Sequence, residues 1–158
     1  MKKLTTILLL LLSIISYGQN NVDMQAFNKI NEYRISNGVS AIVLDSTIWK
    51  GVNYHSNYLI DNGYPHNYPL DNPHDELILA RPSDRLFQYN FVMNGVIREC
   101  ITVFTCVPDM ELTTDWVIKN FDKSAPHKEA VLDPRVIRGA ISLTFSGDLC
   151  YATLIVAE

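Results

Sequence analysis

The sequence has no run of basic residues, and its acidic residues outnumber its basic ones. It contains 13 Lys and Arg against 17 Asp and Glu, a formal net charge of −4 at pH 7. Proteins that bind nucleic acids or anionic membranes usually present clustered Lys and Arg. We therefore expect no nucleic-acid partner and no electrostatic attraction to an anionic membrane.

Short motifs that would name a reaction are also missing. The sequence contains no HExxH, CxxC or GxSxG pattern and no glycine-rich phosphate loop. These patterns are typical of zinc proteases, zinc or redox sites, serine hydrolases and nucleotide-binding proteins. Motifs alone therefore do not decide whether the protein is an enzyme.

The longest apolar run lies at the N-terminus. Lys2 and Lys3 precede the unbroken apolar residues 7–12, and small residues follow. This layout is typical of a secretory signal peptide, and the apolar core is shorter than the roughly 20 residues that a membrane span needs. We predict a signal peptide over residues 1–18, one domain over residues 19–158, a secreted or periplasmic location and no stable membrane span after cleavage.

Cysteine is scarce, with only Cys100, Cys106 and Cys150. An oxidising compartment permits disulfides, so one bond with one thiol left over is a natural expectation. Cys100 and Cys106 lie in one strand-like segment and Cys150 in another. Either could pair with Cys150 if the strands are neighbours, and the alternative is three buried, small hydrophobic side chains.

Hydrophobic periodicity predicts helices followed by a largely β-stranded C-terminal part. Apolar residues at helical spacing predict four helices, over residues 23–37, 45–62, 83–94 and 109–121. Alternation predicts three strands, over residues 96–106, 135–146 and 149–157, the last two joined as a hairpin. This order indicates an α+β domain with helices packed on a mainly antiparallel sheet.

Glu99 is the sharpest physical clue in these segments. Strand alternation places it among aliphatic residues on one face of the sheet. An ionised carboxylate in that environment costs several kcal/mol unless a partner compensates its charge. We therefore expect Glu99 to have a buried partner.

Two histidines accompany Glu99 as candidate site residues. His66 lies in the proline-rich segment 63–82, and His127 lies at the start of a short helix. Two imidazoles and a carboxylate suit Zn²⁺ or another divalent cation, and they also suit general acid–base chemistry. The alternative is a structural network in which Glu99 accepts hydrogen bonds from both imidazoles.

Several short sequence patterns follow one another along the chain. In the first half, residues 31–34 (Asn-Glu-Tyr-Arg) are followed by Gly38, and residues 42–44 lead to Asp45 at the start of the second helix. In the second half, residues 83–86 (Ser-Asp-Arg-Leu) precede the strand that carries Glu99.

A Trp-Ser-His pattern completes the order, with Trp116 and Ser124 preceding His127. The set resembles the CAP superfamily (cysteine-rich secretory proteins, antigen 5, pathogenesis-related 1), and specifically its bacterial SCP-like branch, over roughly residues 26–157. The resemblance implies a three-layer α/β/α sandwich with a cleft that holds His66, His127 and Glu99. It also implies a small ligand, a lipid or a cell-envelope component as partner.

We expect a secreted CAP-like module that binds a divalent cation or a ligand in this His/Glu cleft, with no established reaction. One alternative is a metal-assisted hydrolase that acts on peptide or cell-envelope material, with Glu99 as base. The other is a structural or adhesive module with a vestigial cleft. That last alternative is favoured by Arg98 and Cys100, which stand where the family has Gly and Asn.

Overall fold

The computed structural model describes residues 21–64 and 79–158. Its helices are α1 (Asn21–Ser36), α2 (Ser46–Asp61), α3 (Pro82–Phe87), α4 (Met110–Lys123) and α5 (Ala125–Val131). Its strands are β1 (Val43–Leu44), β2 (Ile97–Thr105), β3 (Arg138–Ser146) and β4 (Leu149–Ala157). The alternation of these elements confirms the predicted α+β class.

The four strands form one sheet in the order β1-β3-β4-β2. The β3–β4 and β2–β4 pairs are antiparallel, and the short β1–β3 pair is parallel. The β3–β4 connection is the predicted hairpin, and Gly147 adopts the left-handed backbone (φ 59°) that its turn requires. A mainly antiparallel sheet is therefore confirmed, with β2 as its last strand.

Helices cover both faces of the sheet. On the first face, α1, α4 and α5 pack against Cys100, Ile141 and Leu154 through the buried residues Ile30, Val117, Phe121 and Val131. On the second face, α2 and α3 pack against Ala140 and Ile155 through the buried residues Ile48, Val52 and Leu86. The described chain is therefore the three-layer α/β/α sandwich that was predicted.

Side-chain caps fix where two of the helices begin. The Asp45 carboxylate accepts hydrogen bonds from the backbone N–H groups of Thr47 (2.8 Å) and Ile48 (3.1 Å) at the start of α2. Asp109 does the same for Glu111 and Leu112 at the start of α4. Each aspartate satisfies N–H groups that the helix itself cannot pair.

The prediction for the third helix is wrong in its length. Helix α3 ends at Phe87 instead of residue 94, and Asn90 follows with a left-handed backbone (φ 60°). This turn directs Phe91 into the core and leaves Phe87 79% exposed. Helical periodicity cannot anticipate the early end, because it depends on where Phe91 finds its packing partners.

Gly139 permits a close approach between strands and core. A Cβ atom at this position would lie 2.7 Å from the Ile155 carbonyl oxygen and 2.9 Å from the Ile42 side chain. Both distances are well below ordinary contact. Ile42, which is buried, can therefore pack across β3 only because residue 139 has no side chain.

Arg34 of α1 is fully buried and binds four backbone carbonyl groups from two other stretches of the chain. Its guanidinium donates to the carbonyl oxygens of Ser40 (2.8 Å), Asp133 (3.3 Å) and Val136 (3.4 Å), and also to that of Val131. Three of these carbonyls lie between the end of α5 and the start of β3. Arg34 therefore supplies the donors that this irregular backbone lacks.

Asp133 connects the end of α5 to the edge of the sheet. Its carboxylate accepts hydrogen bonds from the Arg135 side chain (2.9 and 2.6 Å) and backbone N–H (3.0 Å), and it lies 3.5 Å from the Arg98 guanidinium of β2. The Arg135 hydrogen bonds, with Arg98 contributing, hold the pKa of Asp133 well below its usual range, although burial opposes them.

Replacing Arg34 by Met should destabilise the protein by about 3 kcal/mol or more, because buried carbonyl groups lose their donors. Urea unfolding at neutral pH would measure the loss. Arg81→Met, at an exposed position, is the matched control and should unfold close to the wild-type midpoint. Equal midpoints for the two variants would contradict the role given to Arg34.

The stability advantage of wild type over Asp133→Asn should depend on pH. Because the folded pKa of Asp133 lies below its unfolded value of about 3.9, the advantage is complete above that value and declines as the pH falls toward the folded pKa. Thermal unfolding between neutral and strongly acidic pH would measure it. The exposed Asp148→Asn control should show no comparable trend, and a gap that widens on acidification would refute the prediction.

Candidate functional site

Glu99 lies on β2 and points to the second face of the sheet, with Ile97 and Ile101 on either side of it along the strand. Its pairing partner on β4 is Ile155, a fully buried core residue of that face. The Glu99 side chain is only 3% exposed. The predicted placement among aliphatic residues is confirmed.

Arg85 of α3 is the buried partner that the Glu99 carboxylate requires. Its Nη2 donates to Glu99 Oε1 in an ion pair, and the Arg85 side chain is fully buried. The other terminal nitrogen, Nη1, donates to the carbonyl oxygens of Leu79 (2.8 Å) and Ala80 (3.4 Å). The guanidinium thus compensates the carboxylate and fixes the chain that leads into α3.

The sequence alone indicates that the Glu99 carboxylate needs a partner, but it does not identify that partner. Arg85 enters the resemblance only as a member of the pattern at residues 83–86, and its helix was predicted from the apolar residues around it. A usable signal exists, because a carboxylate on an aliphatic sheet face needs a cation and residues 83–86 carry one. Only the packing of α3 on the second face brings the two together.

His127 lies in the first turn of α5, as predicted, where Ser124 is the N-cap residue and Pro126 occupies the first turn. Its ring packs edge-on against Phe121, with 5.5 Å between ring centroids. Its carbonyl oxygen accepts a weak hydrogen bond from the Cys100 thiol at 3.7 Å. These contacts belong to the first helical layer and hold α5 against β2.

Helix α5 and the Glu99 side chain therefore lie on opposite faces of β2. Because β2 is the last strand of the described sheet, groups on its two faces border the same edge. Glu99 belongs to the second face, and helix α5, which carries His127, packs on the first face. We use the term β2 edge for the region that comprises His127, Glu99 and Arg85.

His66 lies outside the described residues, as do His74, Asp75 and Glu76, so its predicted role stays a prediction. The two ends of the segment that contains it are anchored on the second face. The Tyr151 hydroxyl donates to the Tyr64 carbonyl at 2.6 Å, and the Leu79 carbonyl accepts from Arg85. His66 thus follows an anchored residue by two positions.

Within residues 21–64 and 79–158, no group of three or more His, Cys, Asp or Glu side chains is arranged to hold a metal ion. At the β2 edge these residues supply one imidazole, from His127, and one carboxylate already paired with a guanidinium. A cation site at the β2 edge would therefore need His66 as a further donor.

All three cysteines are thiols in the structure. Cys150 pairs with Phe104 on β2, so Cys106 lies two positions along that strand and Cys100 four positions in the other direction. Burial raises the pKa of the Cys100 and Cys150 thiols to about 12, so both are protonated at neutral pH. Of the predicted partners for Cys150, Cys106 is thus the nearer along the strand, and the disulfide itself stays a prediction.

Breaking one half of the buried ion pair should cost more than removing both halves. Arg85→Met and Glu99→Leu should each destabilise the protein by about 3–5 kcal/mol, because each leaves an uncompensated buried charge, whereas the double variant should lose far less than their sum. Urea unfolding of the wild type, the two single variants and the double variant would complete this double-mutant cycle.

The exposed pair of Lys128 and Asp122 (2.8 Å) is the matched control for this cycle. Solvent screens its charges, so the two single substitutions to Ala should be nearly additive there. Additivity at Arg85 and Glu99 as well would show that the buried pair is not a coupled unit.

This chain is similar to known proteins in its three-dimensional structure. No protein-family model and no curated protein matches the sequence. An outer surface protein from Borrelia burgdorferi superposes with a TM-score of 0.68 at 15% identity, over 89% of this chain and 95% of that protein.

Two further solved structures carry the family name that the sequence patterns suggest. An extracellular protein containing an SCP domain from Bacillus anthracis superposes with a TM-score of 0.67 at 17% identity. A cysteine-rich secretory protein from Staphylococcus aureus gives 0.58 at 16% identity. Each match covers 89% of this chain, which spans only 41% and 40% of those proteins. These likenesses confirm the CAP/SCP-like fold.

Two of these structural neighbours are described as an outer surface protein and an extracellular protein. Among the described residues, no helix has both the length and the apolar character needed to cross a membrane.

Proposed function

We propose that this CAP-fold protein is a binding module of the cell exterior that holds a divalent cation at the β2 edge. His66 and His127 would be the protein ligands of the ion, and Glu99 would be a supporting carboxylate. The observation that carries the proposal is the fixed position of Glu99. Arg85 holds its carboxylate and also donates to the Leu79 carbonyl, at one end of the segment that contains His66.

The chemistry of these groups fits a zinc-type ion. Neutral imidazole nitrogens are ordinary zinc ligands, and water commonly completes the coordination. A ligating histidine usually donates its second ring N–H to a carboxylate, which fixes the orientation of the ring. We infer this orienting role for Glu99, because its carboxylate already contacts the Arg85 guanidinium and is therefore poorly suited to bind the ion directly.

The same observation argues against the hydrolase alternative. A general base has to reach the water that it activates, at hydrogen-bond distance in an open site. The Glu99 side chain is 3% exposed and its charge is compensated by Arg85. A buried, neutralised carboxylate of this kind serves to position other groups.

A structural or adhesive module remains the second candidate. It is favoured by the anchoring contacts themselves, since Arg85 joins β2 to the start of α3 and Cys100 contacts the carbonyl of His127. In that case the ion pair and the histidine would serve as a scaffold, and no cation would bind.

Zinc titration calorimetry near neutral pH would test the proposal. The wild-type protein should bind one Zn²⁺, and His66→Ala/His127→Ala should lose that binding, because both ligands are removed. His74→Ala is the matched control, since His74 belongs to the same proline-rich segment but is not one of the predicted ligands. The control should bind as the wild type does.

Two results would contradict the cation site. Unchanged zinc affinity in the double histidine variant would mean that the ion binds elsewhere. Absence of binding in the folded wild-type protein would favour the structural or adhesive candidate.

A further inference from the structure

The outward face of α2 carries an unusual set of side chains. The inward face packs on the sheet through Ile48, Val52 and Leu59. Along the flank of this inward face, every fourth residue forms a first row, which consists of Trp49, Asn53, Asn57 and Asp61. Asn53 in this row donates from Nδ2 to Ser142 Oγ of β3 at 3.3 Å. A parallel second row consists of Lys50, Tyr54, Tyr58 and Asn62.

The two rows line one elongated cavity of about 450 Å³, which we call the α2 groove. Each row spans twelve residues, or about 18 Å along the helix axis. Tyr89, just after α3, contributes to the lining from the neighbouring element. The volume falls within the range of small-molecule sites, and the length suits a ligand of several linked rings.

These residues are not the ones that stabilise an exposed helix. Solvent-facing helix positions favour Glu, Lys, Gln and Arg, whereas Asn and aromatic residues have poorer helix propensity. The α2 groove nevertheless contains two asparagines and three aromatic residues from α2 itself, and Asn62 at its C-cap. Helix stability therefore does not explain their presence.

Two aromatic rings of the α2 groove are held in place by buried side chains. The Trp49 indole N–H donates to the buried Asp23 carboxylate at 2.8 Å. The Tyr58 ring stacks on the buried His55 ring, with 6.2 Å between centroids and an interplanar angle of 7°. Tyr54 is 36% exposed at the surface of the groove. Rings fixed in this way present flat faces without further ordering.

Two amide side chains of the α2 groove are oriented by hydrogen bonds to the helix backbone. Asn57 Nδ2 donates to the Asn53 carbonyl at 2.7 Å, and Asn62 Nδ2 donates to the Tyr58 carbonyl at 2.8 Å. Both residues are exposed, and these bonds leave their amide oxygens open to a ligand as acceptors. The groove therefore presents aromatic faces and hydrogen-bond acceptors.

We propose that the α2 groove binds an uncharged oligosaccharide. Sugar rings present C–H edges of partial positive charge, which suit the negative faces of aromatic rings. Their hydroxyl groups donate to acceptors such as the oxygens of Asn57 and Asn62. The groove carries one cation, Lys50, and one anion, Asp61, so a neutral ligand matches its charge.

The hydrogen-bond pattern favours a sugar over a proline-rich peptide. Such peptides also dock on aromatic grooves, but proline residues offer only carbonyl acceptors and need donors from the protein. The oxygens of Asn57 and Asn62 and the Asp61 carboxylate need donors, which such a peptide lacks and sugar hydroxyl groups supply. A sugar therefore pairs with more of the groove's polar groups than a proline-rich peptide does.

A glycan array that includes cellohexaose, chitohexaose and acidic glycans, with a proline-rich peptide as a further probe, would test the proposal. At least one uncharged oligosaccharide should bind. In calorimetry with that oligosaccharide, Tyr54→Ala/Tyr58→Ala should weaken binding about tenfold or more, through the loss of two stacking faces. Tyr54→Phe/Tyr58→Phe keeps the rings and should retain most of the affinity.

Phe87→Ala is the matched control, because Phe87 is an exposed aromatic residue outside the α2 groove. It should bind the oligosaccharide as wild type does, and so should the double variant of His66 and His127, which separates this proposal from the cation site. Binding of acidic glycans only, of the peptide only or of no probe would overturn the proposal. So would unchanged affinity in a folded Tyr54/Tyr58 double Ala variant.

Discussion

The buried charge of Glu99 is the constraint on which the arrangement around the β2 edge depends. A carboxylate on an aliphatic sheet face is tolerated only with a compensating cation and further hydrogen bonds. Arg85 supplies the cation through Nη2, and its other terminal nitrogen, Nη1, donates to the carbonyls of Leu79 and Ala80. The ion pair therefore fixes both the strand and the chain that leads into α3.

Arg34 has a comparable role on the other side of the sheet. Its buried guanidinium binds backbone carbonyls from the end of α5 to the approach to β3. Helix α5 carries His127, so the position of that histidine depends on Arg34 and on the contact with Cys100. Two buried arginines, one in each helical layer, thus fix the groups that border the β2 edge.

The fold by itself does not select a function, because unrelated activities are carried by one architecture. The structural neighbours show that this architecture occurs in surface and extracellular proteins. Function has to be argued from particular sites, and two are distinct here. The β2 edge combines imidazole and carboxylate groups, whereas the α2 groove combines aromatic rings with acceptor oxygens. Their chemistry suits different ligands, so each can be tested without disturbing the other.

Local sequence determined much of the architecture. Apolar periodicity and the caps at Asp45 and Asp109 act over a few residues, and alternation assigned the faces of β2 correctly, including that of Glu99. What only the tertiary structure decided were long-range matters. These include the early end of α3, which follows from the packing of Phe91, and the pairing of Glu99 with Arg85. Periodicity reports which face of an element is buried. The partner of Glu99 comes from a helix that packs on the same face of the sheet, and no local pattern encodes that packing.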